Sequence, residues 1–397
     1  MEETIHDYET RMMSALNTLK NDDSIPEEDK DIIFRFKENC IANGLSKARA
    51  LKYIYLLKRL RDWLDMDFER ATKEDIKNLV IKIETSTYSD HTKLELKASI
   101  KRLYRLIRET DYYPPEVRWI KVGHLKIQRR KLPEELLTEE DIVKLINAAN
   151  NPRDRAFVAM LYETGCRIGE ILFVRIKHVQ FDKYGAVVVV SGKTGSRRLR
   201  LVTSVPYITE WLNHHKQRDD PDAYLWPSKG NSVLRYQSVR KMMTRIGRRA
   251  NIKKKLNPHN FRHSRATHLA NYLTEAQMKE YFGWIRSSDM AEIYVHLCGR
   301  DIDNAILKVH GITNDNDEEE SKLKPKNCSR CDMQNQATNN FCSRCGLPLN
   351  RETMARLTIQ DLDRKESDRI MEELIKDDEF REIFLKKGRK IMNRHHS

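Results

Sequence analysis

The sequence predicts a mainly α-helical protein with a small antiparallel β-sheet and, near its end, a small cysteine-held ribbon. Three observations lead there. Helical periodicity runs almost without a break from Pro26 to about Thr110 and resumes after Thr138. One β-branched run, Ala186 to Ser191, is followed by a glycine-bounded turn (Gly192 to Gly195) and an alternating stretch, Arg198 to Val202. Four of the seven cysteines fall into two Cys-x-x-Cys pairs, Cys328/Cys331 and Cys342/Cys345. A chain of 397 residues can form two or three domains, each burying its own core.

In order, residues 1–24 are polar and partly helical in pattern, with no function to assign. Helices are expected at 27–43, 46–64, 72–85 and 89–109, together a helical domain over 26–110. In the last of these, Leu96, Ile100, Leu103 and Ile107 recur at helical spacing and form one apolar stripe. Lys97, Lys101, Arg105 and Arg108 fall on the opposite face, as Lys52 and Arg59 do in the second helix. Residues 111–137 break the pattern with two consecutive prolines and a basic cluster, Lys126 to Lys131, and read as an extended linker. Thr138 caps a new helix with Glu139, Glu140 and Asp141 in its first turn, where the helix dipole favours anions. A second domain over 138–311 then runs helix, helix, a three-stranded patch at roughly 176–203, and helices again, including 204–216 and 235–250. Residues 312–326 read as a linker, 327–350 as the cysteine ribbon, and 351–397 as a helical tail with an amphipathic segment at 368–392.

Charge narrows the partner. The chain carries 73 Lys and Arg against 59 Asp and Glu, a formal +14, with a pI near 9.3. Residues 312–397 hold 17 of each sign, so the whole excess lies in 1–311. A polyanionic partner for that part follows. The acidic, polar start MEETIHDYET is unlike a signal peptide, and no apolar run approaches the ~20 residues that a membrane helix needs. Few cysteines for the length, most of them in one cluster, fit a reducing cytoplasm.

Two segments carry chemistry. Glu163 to Leu172 reads ETGCRIGEIL, with Arg167 three residues before Glu170. Asn257 to Leu297 opens with His259, Arg262 and His263, continues to a Gly283-Trp284 turn, and ends on Tyr294 and His296. Two guanidinia, imidazoles, an indole N–H and a phenol suit the gripping of a phosphodiester and its attack by an oxygen. Arginine makes bidentate phosphate contacts and stays charged. A free phenol with a pKa of about 10 is only ~0.1% ionised at pH 7, so a tyrosine nucleophile needs a proton acceptor and a cationic setting. His259 and the two arginines can supply these.

This pattern resembles the tyrosine recombinase (integrase) family, whose signature is T-G-x-R-x-x-E, then H-x-x-R-H, G-H/W and Y-x-H. The resemblance covers about residues 28–310. It implies a SAM-like helical core-binding domain at 26–110 that presses its helices onto the duplex, with Lys52, Arg59, Lys97, Lys101 and Arg105 as candidate DNA contacts. It implies a catalytic domain at 138–311 in which Arg167, Lys193, His259, Arg262, Trp284 and Tyr294 act. Tyr294 would attack a scissile phosphate to give a 3′-phosphotyrosyl link and a free 5′ hydroxyl, with Lys193 in the hairpin turn protonating the leaving oxygen. No ATP or catalytic cofactor enters. Trp284, where the family has His or Trp, would donate one hydrogen bond; Glu170 would orient an arginine and His263 would support the site. Members act on double-stranded DNA as tetramers, and residues 299–310 would dock onto a neighbouring protomer.

The cysteine pairs, ten residues apart, have the spacing of a closed structural Cys₄ zinc site, with Cys328, Cys331, Cys342 and Cys345 as ligands. The family does not require this module. Two other readings stay open: a type IB topoisomerase-like relaxing enzyme using the same chemistry, and a non-catalytic DNA-binding regulator on the same fold.

Overall fold

The computed structural model describes residues 5, 7–123, 133–297 and 321–392, and the chain divides into two compact units, 1–130 and 131–397. The basic cluster Lys126 to Lys131 and the segment 299–310 lie outside the described residues.

The first unit is all helix: α1 (Tyr8–Lys20), α2 (Glu27–Ala42), α3 (Lys47–Trp63), α4 (Lys73–Thr85), α5 (Asp90–Ile107) and the short α6 (Pro115–Arg118). Local sequence sets the boundaries. Ser46, Thr72 and Ser89 each place a hydroxyl on an otherwise unpaired N–H of the first turn, and Asp75 reciprocates to the Thr72 backbone in a capping box. The expected stripe of α5 is real: Leu96, Ile100 and Leu103 are buried against Leu57 and Leu60 of α3 and Ile76 of α4 in one core. One polar pair is buried with them, Asp29, whose carboxylate accepts from the Phe68 N–H at 2.9 Å and from the Arg61 guanidinium. Two sequence expectations shift. Residues 8–20 form a full helix, because Ala15 and Leu19 give it an apolar face for α3. The stretch read as extended linker contains α6, where Pro115 occupies the first helical position that proline tolerates.

The second unit is built around α8 (Pro152–Thr164), buried along nearly its whole length from Ala156 to Thr164 and packed by α7 (Glu139–Ala148), α10 (Val205–Asn213) and α12 (Pro258–Leu269). Between α9 (Ile168–Leu172) and α10 runs an antiparallel sheet in the order β1 (Val179–Asp182), β2 (Gly185–Gly192), β3 (Gly195–Leu201). The β2–β3 register pairs Val188 with Leu199 and Gly192 with Gly195, so Lys193 and Thr194 form the hairpin turn. After α11 (Tyr236–Arg249) and α12 come α13 (Glu275–Phe282) and α14 (Met290–Leu297).

Residues 321–350 fold as a two-turn cysteine module with a minimal sheet, Lys326–Asn327 against Gln334–Asn335. Its approach is more than a linker. Leu323 is buried, and Ser321 and the Lys322 N–H both donate to Glu139 at 2.9 Å at the start of α7. The module also meets α10, through Gln336 on Glu210 at 2.8 Å and the Tyr207 and Thr338 hydroxyls at 3.1 Å. A long helix, Arg351–Lys376, and a second, Asp378–Met392, follow; the expected amphipathic stretch at 368–392 is therefore broken at Asp377. No helix among the described residues is long and apolar enough to cross a membrane.

Candidate active site

The Thr164-Gly165 step ends α8 in a left-handed turn. Gly165 has φ +54°, and a Cβ there would lie 2.7 Å from the Phe282 ring, so glycine is required on both conformational and steric grounds. Its carbonyl is left facing inward, and Arg262 Nη1 donates to it at 3.0 Å. The chain then enters α9 with Arg167 at the N-cap. Glu170 accepts the Arg167 backbone N–H at 2.9 Å and its Nη1 at 2.9 Å. The sequence expectation that Glu170 orients an arginine matches this geometry.

Gly283 repeats the device at the end of α13, with φ +59°. Its carbonyl accepts Arg167 Nη2 at 3.2 Å and the Thr194 hydroxyl at 3.0 Å, so one turn ties together α9, the β2–β3 hairpin and Trp284. Arg262, 4% exposed, reaches the Phe282 carbonyl with Nη2 at 2.5 Å and lies over the Phe282 and Trp284 rings. Burial and the neighbouring Arg167 charge lower its pKa to about 10, so it stays protonated at neutral pH. Two guanidinia on the wall of one cavity, with Glu170 turned to Arg167, form a ready anion site.

Tyr294 on α14 faces the same space. Its ring stacks on Trp284 with planes 2° apart and centroids 5.6 Å apart, and Trp284 stacks in turn on Phe282 at 4.9 Å. The Tyr294 hydroxyl is hydrogen-bonded to His263 Nδ1. Burial pushes the phenol well above its usual value, with Arg262 pulling the other way. His259, one turn before His263, is exposed, and its ring meets the His263 ring edge-on at 4.6 Å. Arg167, His259, Arg262, His263, Trp284 and Tyr294 thus line one cavity of about 270 Å³. Lys193 is exposed in the hairpin turn beside Thr194, which lines the cavity rim.

Three contributions escaped the sequence. His263 was expected to support the site, yet it is the histidine that touches the phenol; the H-x-x-R-H spacing alone does not say which imidazole faces Tyr294. Arg197 sits on the buried face of β3 with Leu199 and Leu201, completing an i, i+2, i+4 set whose first member an alternation begun at Arg198 leaves out. Its Nη2 donates to Glu170 at 2.7 Å and its Nε to the Tyr281 carbonyl at 2.8 Å. Glu170 is thereby shared by two arginines: burial opposes its charge, but the Arg197 and Arg167 contacts prevail and hold its pKa below the usual value. Glu163 caps α10 from α8, accepting the backbone N–H groups of Val202, Thr203 and Ser204 at 2.7 to 2.9 Å.

The candidate DNA contacts of the first unit separate. Arg59 and Arg105 are exposed. Lys52 is paired with Glu95, Lys97 with Glu84 at 2.5 Å, and Lys101 donates to the Ile120 carbonyl at 3.1 Å. Helical spacing correctly put these lysines off the apolar stripe but could not see acids arriving from α4 and α5. In the cysteine module the four Sγ atoms lie within 4.8 Å of one another. Cys328 and Cys342 occupy equivalent turns, their carbonyls accepting the N–H of Asp332 and Gly346 at 2.9 Å, and both of those residues have positive φ.

Comparison with known proteins agrees with this geometry. Residues 135–299 match the phage integrase family. The chain is 29% identical over 197 residues to tyrosine recombinase XerA of Pyrococcus furiosus, covering 48% of this chain and 68% of that protein. It is 25% identical over 295 residues to tyrosine recombinase XerD of Bifidobacterium longum, covering 68% and 93%. Among solved structures, XerH recombinase bound to palindromic difH substrate in a post-cleavage complex aligns with a TM-score of 0.54 at 18% identity, over 78% of this chain and 98% of that one. A lambda integrase dimer bound to a COC′ core site aligns with a TM-score of 0.54 at 16% identity, over 68% and 78%. These two likenesses speak to the fold. With motif, family match and relatives in agreement, residues 135–299 form a phage integrase family domain, and the chain is similar to the tyrosine recombinases.

Proposed function

We propose that this site-specific DNA recombinase cleaves and rejoins strands through Tyr294, which forms a 3′-phosphotyrosyl link, and that the 270 Å³ cavity holds the scissile phosphate. The observation that carries this is convergence: α9, α12, the Gly283 turn and α14 each bring one part to a single cavity. Arg167 and Arg262 bind the non-bridging oxygens, where charge develops as the phosphorane-like transition state forms. Their forks are held by backbone carbonyls and Glu170, so little reorganisation remains when DNA binds. His259 and Trp284 donate from the exposed and stacked sides. Lys193, on the hairpin pinned through Thr194 to Gly283, protonates the departing 5′ oxygen. The 5′ hydroxyl of a partner strand then reverses the step.

The remaining assignments are also proposals. The protein acts on double-stranded DNA in the cytoplasm as a synaptic tetramer, with Arg59 and Arg105 as exposed cations among the candidate DNA contacts of the helical unit. Cys328, Cys331, Cys342 and Cys345 hold a structural zinc ion. Zn–S bonds of about 2.3 Å require tetrahedron edges of about 3.8 Å, and the sulfur spacing fits. Four protein ligands leave no position for a reactant, so the ion's part is to fix the module's fold. Metal analysis of the purified chain finding no zinc would overturn that assignment.

The test of the main reading is covalent capture on a nicked duplex. Tyr294→Phe is expected to form no protein–DNA adduct while binding DNA as before. An adduct that persists in this variant sinks the assignment.

A further inference from the structure

We infer that His263, rather than His259, accepts the Tyr294 proton during cleavage and returns it on rejoining. This rests on the reading of Tyr294 as the nucleophile and assigns its base. The geometry comes first. His263 Nδ1 is hydrogen-bonded to Tyr294 Oη, the atom that must attack. The stack of Tyr294 on Trp284 fixes the ring, so the hydroxyl is held at that partner rather than swinging among several. His259 lies one helical turn earlier, is exposed, and meets the His263 ring at 4.6 Å. It is placed to present an N–H to a phosphate in the cavity, a different task from accepting a proton.

The chemistry requires such a partner. A phenol with an ordinary pKa of about 10 is already scarcely ionised at neutral pH, and burial moves Tyr294 further in the unreactive direction. Arg262 offsets this only in part and has no acceptor. In the tautomer protonated on Nε2, a neutral imidazole offers Nδ1 as an acceptor for the Tyr294 hydroxyl, and the inference assigns His263 that tautomer. In cleavage the proton moves from Oη to His263 Nδ1 as the Oη–P bond forms. The P–O5′ bond breaks, and the leaving oxygen takes a proton from Lys193. In rejoining the 5′ oxygen attacks, its proton returns to Lys193, and Oη departs with the proton from His263. Nothing is consumed. The two ends of the reaction therefore have separate proton carriers, His263 for the nucleophile and Lys193 for the leaving group.

That separation supplies the experiment, done with the full chain on a nicked substrate in single-turnover adduct assays. His263→Asn keeps an acceptor oxygen but cannot take a proton at neutral pH; His263→Gln is the second variant should Asn not fold. Either is expected to slow adduct formation by about 10²- to 10⁴-fold. Replacing Tyr294 by a ring-fluorinated tyrosine, whose phenol is more acidic, is expected to shrink that deficit by about an order of magnitude or more, since less base is then needed. A substrate with a bridging 5′-phosphorothiolate, whose leaving sulfur needs no proton, is expected to leave the His263 deficit in place while relieving Lys193→Ala. Near wild-type rates in both His263 variants overturn the inference. So does a deficit unchanged by fluorination, which marks a merely structural role, or one relieved by the phosphorothiolate. If Tyr294→Phe still forms adducts, the nucleophile itself is misassigned, and that outcome is separate from every result with His263.

Discussion

The catalytic centre and the C-terminal helices handle charge in opposite ways. Around the cavity Glu163, Glu170 and Arg262 are all at most 4% exposed, yet each has several hydrogen-bond partners supplied from other elements. In the helices 351–376 and 378–392 the described charges are exposed, and several pair with neighbours three or four residues away, as Lys365 with Asp361 and Lys376 with Glu373. Burying a charge costs several kcal/mol unless it is fully paired, whereas an exposed pair is worth about 0–1 kcal/mol and costs almost nothing to keep. On the proposed reading, the buried network is kept for what it does to a phosphate, while the tail's exposed charges cost little to keep.

The sharpest way to break this contrast is to remove the arginines. Arg167→Ala and Arg262→Ala are each expected to lower the rate of adduct formation by about 10²–10³-fold or more, because transition-state charge loses its partner. They should differ in stability. Arg262 is buried and satisfies the Gly165 and Phe282 carbonyls, so its loss leaves two acceptors unpaired, at about 1–3 kcal/mol each. Arg167 is half-exposed and its loss should be milder. Single-turnover assays with thermal melts of both variants check this; equal melting temperatures would show that the buried arginine is not structurally committed.

A smaller effect is expected at Glu170. Its carboxyl titrates below the ordinary glutamate value of 4.5, against its own burial, because Arg197 and Arg167 favour the charged form. A depressed folded pKa contributes stability that is complete above the ordinary value and is lost as pH falls through the folded pKa. Glu170→Gln should therefore melt lower than wild type at pH 7, by an amount in the range of about 3–5 kcal/mol for a broken buried pair. The gap should close as pH drops below the ordinary glutamate range. Melting curves across that window decide it, and a gap that stays constant with pH would exclude the ion-pair origin.

How much of this was open to sequence reading depends on the range of the interaction. The four helices expected in the first unit, α2 to α5, follow from local rules, apolar spacing and mostly Ser or Thr caps, and end within two residues of expectation. Arg167, Arg262 and Tyr294 stand out because the spacing of their motifs is itself local. The rest depends on tertiary approach. Arg197 joins the network only because β3 turns that face onto Glu170. Lys97 is neutralised only because α4 brings Glu84 beside α5. The choice between His259 and His263 is made by where α14 comes down, 31 residues further on. Residues 321–326 resembled linker because their partners, such as Glu139, lie far back in the chain.

The smallest expected effect tests the other side of the comparison. Residues 351–397 carry 12 lysines and arginines against 11 acids, and the described ones are almost all exposed. Counterion release makes log K fall against log salt in proportion to the phosphates neutralised. A near-neutral segment in which Arg364, Lys365, Arg369, Lys376 and Arg381 already face acids on their own helix has little to offer a phosphate track. Truncation after Asn350 keeps the cysteine module and its contacts to α7 and α10, which all lie between Ser321 and Thr338 or within the cysteine turns. The shortened chain is expected to show a salt slope within about one phosphate equivalent of the full chain and to form the Tyr294 adduct at an unchanged rate. Among the tail's exposed apolar side chains, Ile359, Leu362 and Ile370 are more than half exposed and find no cover among the described residues, so any loss should appear when two duplexes must be brought together. A slope shallower by three or more phosphate equivalents would instead make these helices a DNA-tracking arm, and their charges would belong with those of the catalytic unit.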